Sequence, residues 1–187
     1  MKKTLLVFGA LVGAAFAQAQ QIVQRDPVIE DLVRQISTDS LRAHVAGLVQ
    51  FGTRHTMSTT TDPRRGIGAA RRWVLAKFQE YARQSGGRMT ARLDTWTLKP
   101  DGRRVDKPQE IGNVIATLKG TDPADDRIFL VSGHIDSRVT NVMNRDADAP
   151  GANDDGSGTV AVIELARVLS KARFPATVLF CVVSGEE

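Results

Sequence analysis

Apolar positions along the chain switch between two periods, and the switch separates helices from strands. Residues 27–36 read as a short helix. Ser37, Thr38, Asp39 and Ser40 then offer caps for a second helix, in which Leu41, Val45, Leu48 and Val49 recur at i, i+4, i+7 and i+8. Residues 58–65 read as a loop. A longer helix from about Gly66 places Ala70, Trp73, Val74, Phe78 and Tyr81 on one stripe until Gly86 and Gly87 stop it. From Met89 the period becomes two, and Met89, Ala91, Leu93 and Thr95 alternate with polar residues up to Leu98, which predicts a strand. The turn-rich residues 99–109 precede a second strand at 111–118. Another turn, 120–126, leads into the apolar run 128–131. Ser157 is expected to cap a helix with Val162, Leu165, Ala166 and Leu169 on one face, and Pro175 separates it from a last strand at 177–183.

A continuous apolar strand, an amphipathic helix and a second continuous apolar strand suggest a crossover unit with both sheet faces covered, while the earlier strands can be antiparallel. The expected fold class is therefore α/β, a three-layer α/β/α sandwich around a mixed, largely parallel central sheet. No internal repeat or low-complexity tract is present.

The N-terminus follows a different logic. Lys2 and Lys3 precede an apolar run from Leu5 to Phe16 that ends in small residues, the pattern of a secretory signal peptide over residues 1–19. Cleavage is expected after Ala17 or Ala19. The run is far shorter than the roughly 20 residues of a membrane-spanning helix, which disfavours an uncleaved anchor, and no later segment could span a bilayer. The expected location is periplasmic or extracellular. Residues 20–187 suffice for one domain with a hydrophobic core.

The formal charge of +4 includes both leader lysines, so the processed chain carries 23 basic against 21 acidic residues. That balance is too weak to argue for nucleic acid. The local clusters Arg64, Arg65, Arg71, Arg72 and Arg103, Arg104, Lys107 read as solvated surface. Cys181 is the only cysteine, so no internal disulfide can form. It lies in an apolar run that gives a thiolate little support, which argues against a catalytic thiol.

Metal-competent residues gather at the C-terminal ends of the last two apolar strands and in the loop between them, the edge where open α/β sheets bind ligands. The first strand ends in SGHIDS, residues 132–137. His134 and Asp136 are two apart there and share a side if the chain stays extended, so Asp136 can fix the imidazole tautomer. PGANDDGSG, residues 150–158, presents Asp154 and Asp155 before the helix; taken alone, it is an ordinary acidic helix start. SGEE, residues 184–187, sets Glu186 and Glu187 directly after the last strand. Each cluster alone is unremarkable, but together they supply borderline and hard donors suited to zinc. His44 and His55 have no partner at ligand spacing and read as structural or surface residues.

These residues resemble the co-catalytic zinc peptidases of metallopeptidase family twenty-eight, which includes bacterial leucyl aminopeptidases and glutamate carboxypeptidases. The likeness extends to LVQFGTRHT at 48–56 and GNVIATLKG at 112–120. It implies a zinc-dependent exopeptidase, aminopeptidase-like by default, acting on peptides with two zinc ions. By the same resemblance His134 ligates one zinc, Asp136 supports the site, Asp154 bridges the ions, Glu187 binds the second zinc, and Glu186 is the general base. Asp155 is expected to be structural.

Members of the family continue past the paired glutamates to a further aspartate and a distant histidine that complete the two metal sites. By resemblance, residues 20–187 are therefore the N-terminal, incomplete part of a catalytic domain, expected to be inactive and poorly soluble alone. Two rival readings remain: a single-zinc enzyme of the glutaminyl cyclase type, against which GANDDGSG argues, and a non-catalytic ectodomain that keeps the fold for binding. Substrate choice and oligomeric state are not legible in these residues.

Overall fold

The computed structural model describes residues 25–187, so the leader pattern lies outside the described residues. Three helices, α1 (Pro27–Arg34), α2 (Thr38–Val49) and α3 (Gly66–Gln84), precede two strands, β1 (Met89–Leu98) and β2 (Gln109–Leu118). Then follow β3 (Ile128–His134), α4 (Gly156–Leu169) and β4 (Thr177–Val183). The local causes are those read from sequence. The Asp26 side chain accepts from the Val28 N–H at the start of α1, and that of Ser37 accepts from the Ser40 N–H at the start of α2. At α4 the cap is Asp155 rather than Ser157, because the Asp155 carboxylate reaches the Gly158 N–H and the helix begins at Gly156.

The strands form one sheet in the order β1-β2-β4-β3. It is mixed, as expected, but among the named strands of the described residues only β3 and β4 pair in parallel; β1 with β2 and β2 with β4 run antiparallel. The expected, largely parallel character is therefore not met. A ten-residue loop returns the chain from β1 directly into β2, which forces antiparallel pairing, and only α4 provides the crossover that a parallel neighbour needs. The described residues build two of the three expected layers. Leu48 of α2, Val74 and Phe78 of α3, and Val160 and Ile163 of α4 join Val114, Ala116, Phe180 and Val182 of the sheet in one core.

β3 occupies the sheet edge with Ile128, Phe129 and Leu130 exposed. Cys181 is buried, and burial pushes its thiol up, in keeping with an inert side chain. Arg71 departs from the surface reading of its cluster. It is buried and pairs with Glu110 on β2 at 3.1 Å, because the core-facing side of α3 includes its position. Glu164 of α4 is also buried, and it accepts the Ser37 N–H, the Ser40 hydroxyl and two Arg167 N–H groups, tying the start of α2 to α4.

Candidate functional site

β3 and β4 are parallel and end together, with His134 paired to Val183, so SGEE starts beside the histidine. The first turn of α4 lies hard against β3. A Cβ on Gly133 would come within 2.7 Å of the Gly158 backbone, so only glycine allows this approach. Asp155 then clamps the strand end: one carboxylate oxygen accepts the Gly158 N–H at 2.8 Å, the other accepts the His134 N–H at 2.9 Å. The Thr159 hydroxyl donates to the His134 carbonyl at 2.8 Å. His134 is thus fixed on both sides of its backbone, by Asp155 and by Thr159.

The imidazole faces three carboxylates. Its Nε2 stands 3.2 Å from Asp154 and 3.8 Å from Glu186, while its Nδ1 stands 3.6 Å from Asp136. That Nδ1 is buried and has no hydrogen-bond partner. Asp136 is fully buried and accepts the Thr56 hydroxyl at 2.9 Å and the Glu187 N–H at 3.0 Å, with the Glu186 N–H at 3.4 Å. One carboxylate therefore stands beside the His134 ring without bonding it and orders the backbone of both glutamates. Gly185 makes this path possible, since its φ of +89° is open to glycine and an added Cβ would meet the Ile111 side chain at 2.8 Å.

Four of the five residues singled out in the sequence, His134, Asp136, Asp154 and Glu186, meet here. The Glu187 carboxylate does not join them, because Arg138 Nε holds it at 2.5 Å. Among the described residues no group of three or more His, Cys, Asp or Glu side chains is arranged to hold one ion. His55 is engaged elsewhere: its Nδ1 accepts the Met57 N–H and its Nε2 faces the Val142 carbonyl at 3.0 Å. His44 packs edge-on to Trp73, and burial followed by the charge of Lys77 lowers its pKa.

Beneath the site lies Arg54, which sequence reasoning passed over within LVQFGTRHT. It is buried and donates to the carbonyls of Ile135 at 2.6 Å, Pro150 at 2.7 Å and Gly151 at 3.0 Å, with Leu48 at 3.4 Å. It joins the end of β3 to the loop that carries Asp154. Burial pushes its guanidinium down to about 10, opposed by the negative charges of Asp136 and Asp155. No local pattern marks it, since three of its acceptors lie 81 to 97 residues away. Thr56 and Arg138 were likewise unmarked.

Residues 113–187, which hold His134, Asp136, Asp154, Glu186 and Glu187, match the family model described as Peptidase family M28. A probable zinc metalloprotease of Pyricularia oryzae is 49% identical over 162 residues, covering 87% of this chain and 32% of that protein. The chain spans about a third of the length of the curated relatives it matches. In fold it is similar to the LapA aminopeptidase of Legionella pneumophila, with a TM-score of 0.64 at 19% identity over 100% of this chain and 43% of that one. It is also similar to Tannerella forsythia glutaminyl cyclase, with a TM-score of 0.61 at 18% identity over 81% of this chain and 47% of that one.

Proposed function

We propose that this protein works as a zinc-dependent exopeptidase, aminopeptidase-like in its substrates, with two zinc ions in the active form. The observation that carries the reading is the convergence on His134 Nε2 of Asp154 and Glu186 at the shared end of β3 and β4. Two donors bound about 2.0–2.1 Å from a tetrahedral zinc stand roughly 3.3 Å apart, and His134 and Asp154 are already 3.2 Å apart. The unpartnered, buried Nδ1 beside Asp136 fits a ligand histidine whose tautomer a carboxylate sets, leaving the Nε2 lone pair for a metal. His134 and Asp154 would hold zinc, and Glu187 would join on leaving Arg138.

Zinc bound there would supply water activation and polarisation of the scissile carbonyl. Glu186, exposed at the mouth of the site, takes the proton of the attacking water and delivers it to the leaving amine. Asp136 acts through His134 and through the main chain of Glu186 and Glu187 rather than on the substrate. Export to the periplasm or outside the cell is supported by the Lys-Lys and apolar pattern of the N-terminus; among the described residues no helix is long and apolar enough to cross a membrane.

The test is Glu186→Gln. Turnover of aminoacyl and dipeptide substrates should fall about 10²- to 10⁴-fold while zinc content is kept. Equal turnover in the two proteins would remove Glu186 from the chemistry. The fold likeness to glutaminyl cyclases makes a peptide with N-terminal glutamine the control substrate: ammonia release without peptide hydrolysis would replace the exopeptidase reading by cyclisation.

A further inference from the structure

Asp136 is a carboxylate with no access to solvent, and burying a charge is costly unless hydrogen bonds replace the lost water. It accepts two main-chain N–H groups, from Glu187 at 3.0 Å and from Glu186 at 3.4 Å. Among the described residues, Thr56 supplies the only side-chain hydrogen bond to it, from the hydroxyl to Oδ2 at 2.9 Å. Oδ1 is left facing His134 Nδ1 at 3.6 Å, past hydrogen-bond length. The Thr56 hydroxyl and the Glu187 N–H together pin Oδ2, and with it the direction in which Oδ1 points. A bond to Nδ1 therefore closes by a small shift of the ring rather than of the carboxylate.

The residues flanking Thr56 are held from several sides. His55 Nδ1 accepts the Met57 N–H at 3.0 Å, which puts the ring proton on Nε2, and Nε2 donates to the Val142 carbonyl at 3.0 Å. That carbonyl belongs to the loop that leaves β3 and carries Asp136. Gln109 of β2 donates through Nε2 to the carbonyls of Thr56 and Ser58, at 3.2 and 3.0 Å. The Ser58 hydroxyl donates to the His55 carbonyl at 2.6 Å and accepts the Ile67 N–H, at the start of α3, at 2.9 Å. The Thr56 side chain itself is β-branched and has few rotamers, and its methyl lies toward Gly185, 3.9 Å from where a Cβ on that glycine would stand. β2, α3 and the loop after β3 thus combine to aim one hydroxyl at one carboxylate oxygen.

We infer that Thr56 is a positioning residue of the metal site, acting through Asp136: its hydroxyl orients the carboxylate that keeps the His134 proton on Nδ1 and the Nε2 lone pair free. The inference rests on the exopeptidase reading of His134 and its carboxylates. It deepens that reading by naming the group, 80 residues earlier in the chain than Asp136, that sets the tautomer of the ligand.

The experiment reads the ring and the metal, not turnover. The chain has three histidines, so a ¹⁵N-histidine label gives three rings to resolve, and His134→Asn assigns the one at the site. In the zinc-free protein, at a pH where the ring is neutral, the ¹⁵N shifts should show His134 with its proton on Nδ1. A proton on Nε2 overturns the inference, and this measurement needs no change at Thr56. Thr56→Val keeps the shape of the side chain and removes the donor. It should move His134 toward the Nε2 tautomer and weaken zinc binding about tenfold, the low end for loss of an outer partner, as read by competition with a chromophoric chelator. Thr56→Ser returns the hydroxyl without the methyl and should recover both. In an Asp136→Asn background Thr56→Val should weaken zinc binding no further, because the path through the carboxylate is already broken. Parental tautomer and zinc affinity in Thr56→Val, no recovery in Thr56→Ser, or a full additional loss in the double variant each overturn the inference. Should Glu186→Gln turn over substrate like the parent, the exopeptidase reading fails by itself, and the tautomer and zinc measurements still decide the role of Thr56.

Discussion

Replacing Asp136 by Asn changes one atom and inverts the hydrogen-bonding character of half the side chain. In the native arrangement both oxygens accept, one from the Thr56 hydroxyl and the Glu187 N–H, the other from the Glu186 N–H while facing His134 Nδ1. The amide keeps the first set only if its oxygen stays there, which turns its NH₂ toward the Glu186 N–H and the imidazole. Two consequences follow. The Glu186 N–H loses a charged acceptor at a part-buried position, which costs about 1 kcal/mol. The NH₂ also favours the tautomer with its proton on Nε2, and a protonated Nε2 cannot bind metal; loss of such a bracing carboxylate lowers metal affinity about 10- to 100-fold. Urea unfolding at pH 7 reads the first effect, and competition with a chromophoric zinc chelator reads the second. An Asp136→Asn protein with the parent's urea midpoint and the parent's zinc affinity would refute the assignment of Asp136 as the brace of His134.

Arg54→Ala takes the donor from the Ile135 and Pro150 carbonyls, while those of Leu48 and Gly151 keep the Phe51 and Gly156 N–H groups, so it should cost about 2–6 kcal/mol, with early proteolysis in the loop before α4, and Arg54→Lys should recover only part, as seen by thermal melting. Glu164 shows the acid side of stability. Burial raises its pKa, but the bonds from Arg167, Ser37 and Ser40 outweigh that and hold it at about 2, below the ordinary 4.5. Its contribution of about 2–3 kcal/mol is therefore complete above pH 4.5 and is lost as pH falls toward about 2, and in Glu164→Gln the pH dependence of urea midpoints across that window should flatten. Gly185→Ala forces a side chain into a positive φ and against Ile111, so it should cost about 1–2 kcal/mol and lower kcat by displacing Glu186; unchanged kcat would show that the turn tolerates a Cβ.

The element pattern was legible because its causes are local. Ser37 caps α2 from three residues away, the apolar stripe of α3 has its own period, and β1 alternates without reference to its partners. The mixed sheet followed from strand, helix and strand in succession. Its largely antiparallel pairing did not, since nothing in β2 announces that β4 will dock against it in reverse.

For the site, residue types and their order along the chain marked three clusters, and the family resemblance singled out His134, Asp136, Asp154, Glu186 and Glu187 within them. Their meeting depended on tertiary packing. α4 reaches β3 only where Gly133 leaves room, and the loop carrying Asp154 is held by an arginine whose acceptors are scattered over a hundred residues. Backbone carbonyls are the same at every residue, so no sequence can show which of them a buried Arg54 will find. Side-chain geometry likewise sent Glu187 to Arg138, a pairing set by distance in space and invisible in the order of residues.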